Sequence, residues 1–281
     1  MFGYRHLYHA GNFADVTKHV ILVALLESLW RKQTPFAILD THGGIGRYRL
    51  DSPQALKNRE FADGIGRLWS QGEMPEIVRH YLDVVRRYNP TGELLTYPGS
   101  PRIAREWLRE QDRLLVTELN PNDHATLKGE FAGDRQVSVH LQDAYQGLKA
   151  FLPPKEKRGL VLIDPAFELR DEYDRLVQGV TSAWQRWPSG LYAIWYPIQS
   201  QGLVTRLHEA ICKSGIRKVL CAELTIRPAE QRSRLNGSGM LIINPPWQLE
   251  TTLQGALAYL QTVLEEEPGN GSHRLEWLVG E

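Results

Sequence analysis

The chain has 281 residues, with 33 Lys and Arg set against 33 Asp and Glu, and 42% of its residues are hydrophobic. That length can bury one sizeable core, and the balanced charge gives no general pull toward a polyanion. Two cysteines exclude a disulfide framework and fit a reducing compartment, while the apolar stretch at residues 20–26 is far too short to cross a bilayer.

The chain opens on Phe2, Tyr4, Arg5, His6 and His9 without a signal-peptide pattern, so a cytoplasmic protein is expected. A helix follows, with Asp15 as N-cap and Val16, Val20, Val23 and Leu26 at helical spacing. Phe36-Ala37-Ile38-Leu39 reads as a first strand running into Asp40-Thr41-His42-Gly43-Gly44-Ile45-Gly46. Residues 51–95 then interrupt the pattern. Ser52-Pro53 and Met74-Pro75 each start a helix, and Asn89-Pro90-Thr91-Gly92 stops the second. This stretch is read as a small helical insert (51–95) in a domain formed by residues 1–50 and 96–281. Forty-five residues is long for one connection.

Beyond it, apolar runs alternate with helical patterns, as in a mostly parallel sheet covered by helices. Strands are expected at residues 114–117, 137–141, 160–163, 191–195, 220–226 and 240–243. The first strand and the next three end on or near Asp40, Glu118, Asp143 and Asp164. In open α/β sheets ligands sit at the carboxyl ends of the strands. Glycines after the first strand let backbone approach a ligand, the next acid can accept ribose hydroxyls, and the third can take an adenine amine. The glycine order lacks both dinucleotide and P-loop patterns, and an acid before it repels phosphate. S-adenosylmethionine (SAM), which has no phosphate, fits better than NAD or ATP.

Asp164-Pro165-Ala166-Phe167 closes the fourth of these strands. A carboxylate and rigid carbonyls there can accept from an exocyclic amine while the aromatic stacks on a flipped base. Asn244-Pro245-Pro246-Trp247 has a similar form but ends the last expected strand, so it is read as a turn that helps wall the pocket. No His, Cys or Asp pair has supported metal-ligand spacing. RNA-binding patches are sought at Arg227, Arg232 and Arg234, and at Lys57, Arg59, Arg67, Arg79, Arg86 and Arg87, although acids outnumber bases across the insert.

Several of these segments together resemble the RlmJ-type adenine-N6 methyltransferases of large-subunit ribosomal RNA: Tyr4-Arg5-His6, His9-Ala10-Gly11-Asn12, Lys18-His19, Leu39-Asp40-Thr41-His42-Gly43, Tyr97-Pro98-Gly99-Ser100-Pro101, Trp195-Tyr196-Pro197 and Asn244-Pro245-Pro246-Trp247. The resemblance implies a Rossmann-like class I SAM-dependent methyltransferase fold with a helical insert. It implies N6 methylation of one adenine in naked or partly assembled 23S RNA by a monomeric protein. Carried over by position, Lys18, His19, His42, Gly43, Ser100, Glu118, Asp143, Ala144 and Asp164 would hold the cofactor. Asp164, Pro165 and Phe167 would be catalytic, and Tyr4, His6 and Lys18 would meet the RNA. Members usually carry Asp-Pro-Pro-Tyr; here Ala166 and Phe167 depart from it, which keeps a stacking face and loosens the turn by under ~1 kcal/mol. A DNA adenine methyltransferase and a non-catalytic SAM- or RNA-binding protein are the alternatives.

Overall fold

A computed structural model describes residues 5–169, 171–228 and 235–280. After a short turn of 3-10 helix at His6–Tyr8 comes α1 (Phe13–Trp30). Its N-cap is Asn12, whose side chain accepts from the Asp15 amide at 2.9 Å, so the cap lies three residues before the expected one. α1 is apolar nearly all round and is accordingly buried nearly all round.

β1 (Ala37–Asp40) leads to a hairpin of β2 (Arg47–Arg49) and β3 (Thr96–Pro98). Between these two strands lie α2 (Pro53–Asn58), α3 (Glu60–Asp63), α4 (Ile65–Trp69) and α5 (Glu76–Arg87). α5 is strongly amphipathic, and its Ile77, Val78, Tyr81 and Leu82 join the same apolar core as α1. The rest alternates: α6 (Ser100–Arg105), β4 (Arg113–Glu118), α7 (Pro121–Glu130), β5 (Val137–Leu141), α8 (Ala144–Phe151), β6 (Gly159–Ile163), α9 (Glu172–Arg186), β7 (Leu191–Ile198), α10 (Gln201–Lys213), β8 (Val219–Thr225), β9 (Gly237–Ile243), α11 (Leu249–Leu264) and β10 (Ser272–Val279).

The main sheet has eight strands in the order β10-β8-β9-β7-β6-β1-β4-β5. From β7 to β5 every pairing is parallel, whereas β9 is antiparallel to both β7 and β8. This is the expected class I methyltransferase arrangement, with β10 added at one edge. Alternate strand residues feed two cores. Ile38, Leu160, Leu162 and Ala193 pack toward α1, α6 and α11, while Leu39, Val161, Ile163 and Ile194 pack toward α8, α9 and α10. The strand order reverses between β1 and β6, so a crevice opens at their carboxyl ends.

Three expectations change. β7 does not stop at Trp195 but runs through Pro197 to Ile198, paired with residues 237–243 of β9. The residues 237–239, expected in a loop, begin β9. Because β9 runs against the parallel strands, its end at Ile243 lies opposite Tyr192 and Val219, near the starts of β7 and β8. Asn244 therefore sits at the sheet edge opposite Asp40 and Asp164, and its tetrapeptide does not wall the pocket.

Candidate active site

The turn after β1 is shaped by contacts that leave no room for side chains. The Gly43 amide donates to the Thr117 carbonyl at 3.0 Å, and a Cβ on Gly43 would lie 2.4 Å from Val116 Cγ1. Gly44 and Gly46 have left-handed φ of 56° and 79°. Glu118, at the end of β4, accepts from the Gly44 amide at 2.8 Å and the Asn120 amide at 2.7 Å. Burial raises its pKa, against those two bonds. Its carboxylate thus lies at the turn with lone pairs left for further donors.

Asp40 ends β1 almost fully buried and accepts from the His42 amide at 3.2 Å, near Ser100 at the start of α6, which works against the effect of burial. Burial pushes its pKa up to about 6, and its Oδ2 has no partner. His19, on α1, shares a 2.7 Å hydrogen bond between Nδ1 and the Tyr97 hydroxyl, which in turn meets the Tyr81 hydroxyl at 2.9 Å. Burial holds His19 neutral, and among the described residues its Nε2, like Asp40 Oδ2, has no partner. Buried polar atoms are rarely left unpaired without reason. An unpaired carboxylate oxygen suits an ammonium, and an imidazole nitrogen suits a carboxylate. With the glycine turn and Glu118, this donor set fits the amino-acid and ribose parts of SAM.

Asp164 follows β6, beside β1. Its amide donates to His42 Nδ1 at 3.2 Å, which requires that nitrogen to be unprotonated. Burial lowers His42 to about 4, consistent with a neutral ring. The Asp164 carboxylate accepts from Lys18 Nζ at 2.5 Å, and Lys18 also contacts Asp15 at 2.9 Å. Lys18 is therefore not a solvated helix residue: it is 4% exposed. Desolvation works against its charge, but Asp15 and Asp164 raise its pKa, so it stays protonated. Burial likewise opposes charge on Asp15, and His6 with Lys18 outweighs it, holding that carboxyl well below the usual range.

Pro165 continues the turn, and Phe167 has a φ of 53°. Its ring lies 4.7 Å from Tyr173 and 5.9 Å from Trp195, while Lys18 Nζ is 5.9 Å from the Trp195 ring. Trp195 Nε1 donates to Ser238 Oγ at 2.9 Å. The sequence gives Asp15, Tyr173 and Trp195 no place in the site. The only sequence signal for Trp195 is its position in the Trp-Tyr-Pro segment.

Asp143 has partners of its own. It caps α8, accepting from the Tyr145 and Gln146 amides at 3.0 and 3.1 Å, and its other oxygen takes Arg175 at 3.1 Å. An adenine amine would have to share that carboxylate with the guanidinium. Ala144 is the buried first residue of α8. His6 Nε2 lies 2.9 Å from Asp15 Oδ2, on the Lys18 side of the pocket. Tyr4, Arg232 and Arg234 fall outside the described residues. Arg227 pairs with Glu266 at 2.5 Å.

One grouping was invisible to spacing. His208, Cys221 and Glu223 converge within 4.8 Å of one another, away from the crevice. The Tyr196 hydroxyl stands among them, 2.7 Å from Glu223, 2.9 Å from His208 and 3.3 Å from Cys221, and Arg274 approaches Glu223 at 3.4 Å. The donors are taken up by one another, and the guanidinium opposes a cation.

The family described as "Ribosomal RNA large subunit methyltransferase D, RlmJ" matches residues 33–279. The "Ribosomal RNA large subunit methyltransferase J" proteins of Haemophilus influenzae and Escherichia coli K12 are 46% and 43% identical, each over all of both chains. A crystal structure of a Legionella pneumophila protein is 34% identical, with a TM-score of 0.89 over 96% of this chain and 98% of that one. The family match and full-length identity at this level place the chain in the RlmJ family of ribosomal RNA large subunit methyltransferases.

Proposed function

We infer that the chain methylates the N6 amine of an adenine in large-subunit (23S) ribosomal RNA, naked or partly assembled, using SAM. The observation that carries the reading is the Asp164 carboxylate at the β6 end, anchored to buried Lys18 at 2.5 Å beside the Phe167 and Trp195 rings.

SAM, when bound, supplies an electrophilic methyl group. Asp40, whose Oδ2 has no partner among the described residues, would hold the ammonium, His19 would meet the carboxylate, and Glu118 would accept from the ribose. His42, Gly43, Ser100, Asp143 and Ala144 complete the walls. The chain's own groups then act on the base. An adenine flipped from its stack presents a flat face to Phe167, with Trp195 as backing. The N6 lone pair is conjugated into the ring and is a weak nucleophile. Donating its hydrogens to Asp164 and the Pro165 carbonyl draws the nitrogen toward tetrahedral geometry and aims the lone pair. Positioning of this kind can supply several kcal/mol. Lys18 fixes the Asp164 carboxylate from one side and leaves its other lone pairs for the amine. Asp164 takes the proton as the methyl is transferred. His6, held on Asp15 at 2.9 Å on the Lys18 side, faces the RNA, and the resemblance gives Tyr4 the same role.

The test is methyl-labelled SAM with an unmethylated large-subunit RNA transcript, followed by nucleoside analysis. Label in N6-methyladenosine is expected, with Asp164→Ala inactive but still binding SAM. Label only in DNA, or near-normal turnover by Asp164→Ala, would overturn the assignment.

A further inference from the structure

Residues 8–12 are clasped by the helices between β2 and β3 at several independent points. α2 ends on Arg59 in the left-handed region (φ 51°), which breaks the helix and starts α3 at Glu60. The Glu60 carboxylate meets His9 Nδ1 with both oxygens, at 2.9 and 3.0 Å, and accepts from Asn12 Nδ2 at 3.0 Å. The Ile65 amide donates to the Gly11 carbonyl at 2.8 Å. Gly64 packs so tightly on that turn that a Cβ would lie 2.1 Å from the Gly11 oxygen. Lys57 Nζ lies over the Tyr8 ring at 5.7 Å.

The clasp leads to the reacting carboxylate. Asn12 is bound at both ends of its amide: Nδ2 to Glu60, and Oδ1 to the Asp15 amide as the cap of α1. Asp15 accepts from the Gly11 amide at 2.9 Å, meets His6 at 2.9 Å and holds Lys18 at 2.9 Å. Lys18 holds Asp164 at 2.5 Å. One hydrogen-bonded chain therefore runs Glu60, Asn12, Asp15, Lys18, Asp164. Glu60 is the only member contributed by α2 to α5, and it is a charged acceptor, which makes the stronger kind of hydrogen bond.

We propose that Glu60 is a positioning residue: it latches residues 8–12 so that His6, held on Asp15 at 2.9 Å, is aimed at the RNA beside Asp164. On this view α3 serves the reaction from outside the crevice, and its contribution is orientation rather than phosphate contact. The inference rests on the reading that the N-terminal segment meets the RNA.

Glu60→Ala and Glu60→Gln test it on the full chain, by hydrogen exchange of residues 6–12 without RNA, SAM affinity by calorimetry, and steady-state kinetics with the RNA transcript. Glu60→Ala is expected to raise exchange across residues 9–12 and to raise KM for RNA by about tenfold, the usual scale for one lost charged hydrogen bond. SAM affinity should stay within about twofold, because Glu60 binds His9 and Asn12 and is not one of the residues assigned to the cofactor. Glu60→Gln keeps one acceptor and should recover most of both effects. Unchanged exchange, or raised exchange with an unchanged KM, overturns the proposal. So does an equal loss of SAM affinity, which would mark a general loss of fold. Failure of the wider functional reading looks different: the parent protein itself would then yield no N6-methyladenosine.

Discussion

Asp40 and His42 are two residues apart, one buried and one half-buried, and shifted in opposite directions, to about 6 and about 4. Against ordinary values near 3.9 and 6.5, each shift corresponds to about 3 kcal/mol. The signs oppose. Asp40 has a raised folded pKa, so its contribution is present in acid and is lost as pH rises through about 6. His42 has a lowered one. As pH falls from 6.5 toward 4, the unfolded chain takes up a proton that the fold refuses, and stability drops. The two nearly cancel across that window, with buried His19 adding to the acid side. Asp40→Asn removes one of them. It should stabilise the SAM-free protein at pH 7.5 by up to about 3 kcal/mol, steepen its acid lability below pH 6.5, and weaken SAM binding. Denaturant unfolding at pH 5, 6 and 7.5 reads this; an Asp40→Asn variant no more stable than the parent at pH 7.5 would refute it. In the parent, SAM affinity should rise as pH rises through about 6, because an ammonium needs the ionised carboxylate. The acids of this site were legible because each ends an apolar run. The resemblance names Lys18, but its pairing with Asp164 was not legible, since the two lie 146 positions apart. Nor was the Arg175 contact to Asp143, which comes from the far side of β6 in the chain.

β1, β4, β6 and β7 could be read because they are apolar runs buried on both faces. β10 was missed. Its residues alternate in exposure at the sheet edge, and Glu276 and Arg274 dilute its pattern. β2 and β3 were missed because three residues each give no period. The misplaced cap of α1 has a simple cause: Asp15 is a good cap by type, but its carboxylate is committed to Lys18, His6 and the Gly11 amide. Direction was the largest error. Residue pattern locates β9 but does not say that it runs against β7, and that alone carries Asn244 to the far edge. There its side-chain amide donates to the carbonyls of Pro188 and Gly190, each at 2.7 Å, from a φ of 56°. This is a tie between the start of β7 and the end of β9, and Trp247 beside it is 86% exposed. Asn244→Ala should lose about 1–3 kcal/mol of stability, from two bonds and a left-handed backbone that Ala tolerates poorly. SAM affinity and turnover per folded molecule should hold. A turnover loss at full folding would return the motif to the reaction.

For the whole molecule, charge is balanced in number and also in space. Arg47 and Arg102 meet Glu130, Arg49 meets Asp51, Arg87 meets Glu106, Arg105 meets Asp134 and Arg227 meets Glu266. Arg67, one of the cations expected to touch RNA, donates to the Glu265 carbonyl and joins α4 to the end of α11. These groups are spent on holding the fold, and releasing one to a phosphate exchanges one ion pair for another. Binding should therefore draw less on counterion release than on the shape of the crevice and on stacking of a flipped base. Affinity for the RNA substrate should fall with salt at a shallow logarithmic slope, of magnitude about 2–4, as for some three to five phosphates. Titrations from about 50 to about 300 mM salt measure it directly. A slope beyond about 6 would mean that a concentrated basic track binds the RNA, with these ion pairs opening to form it.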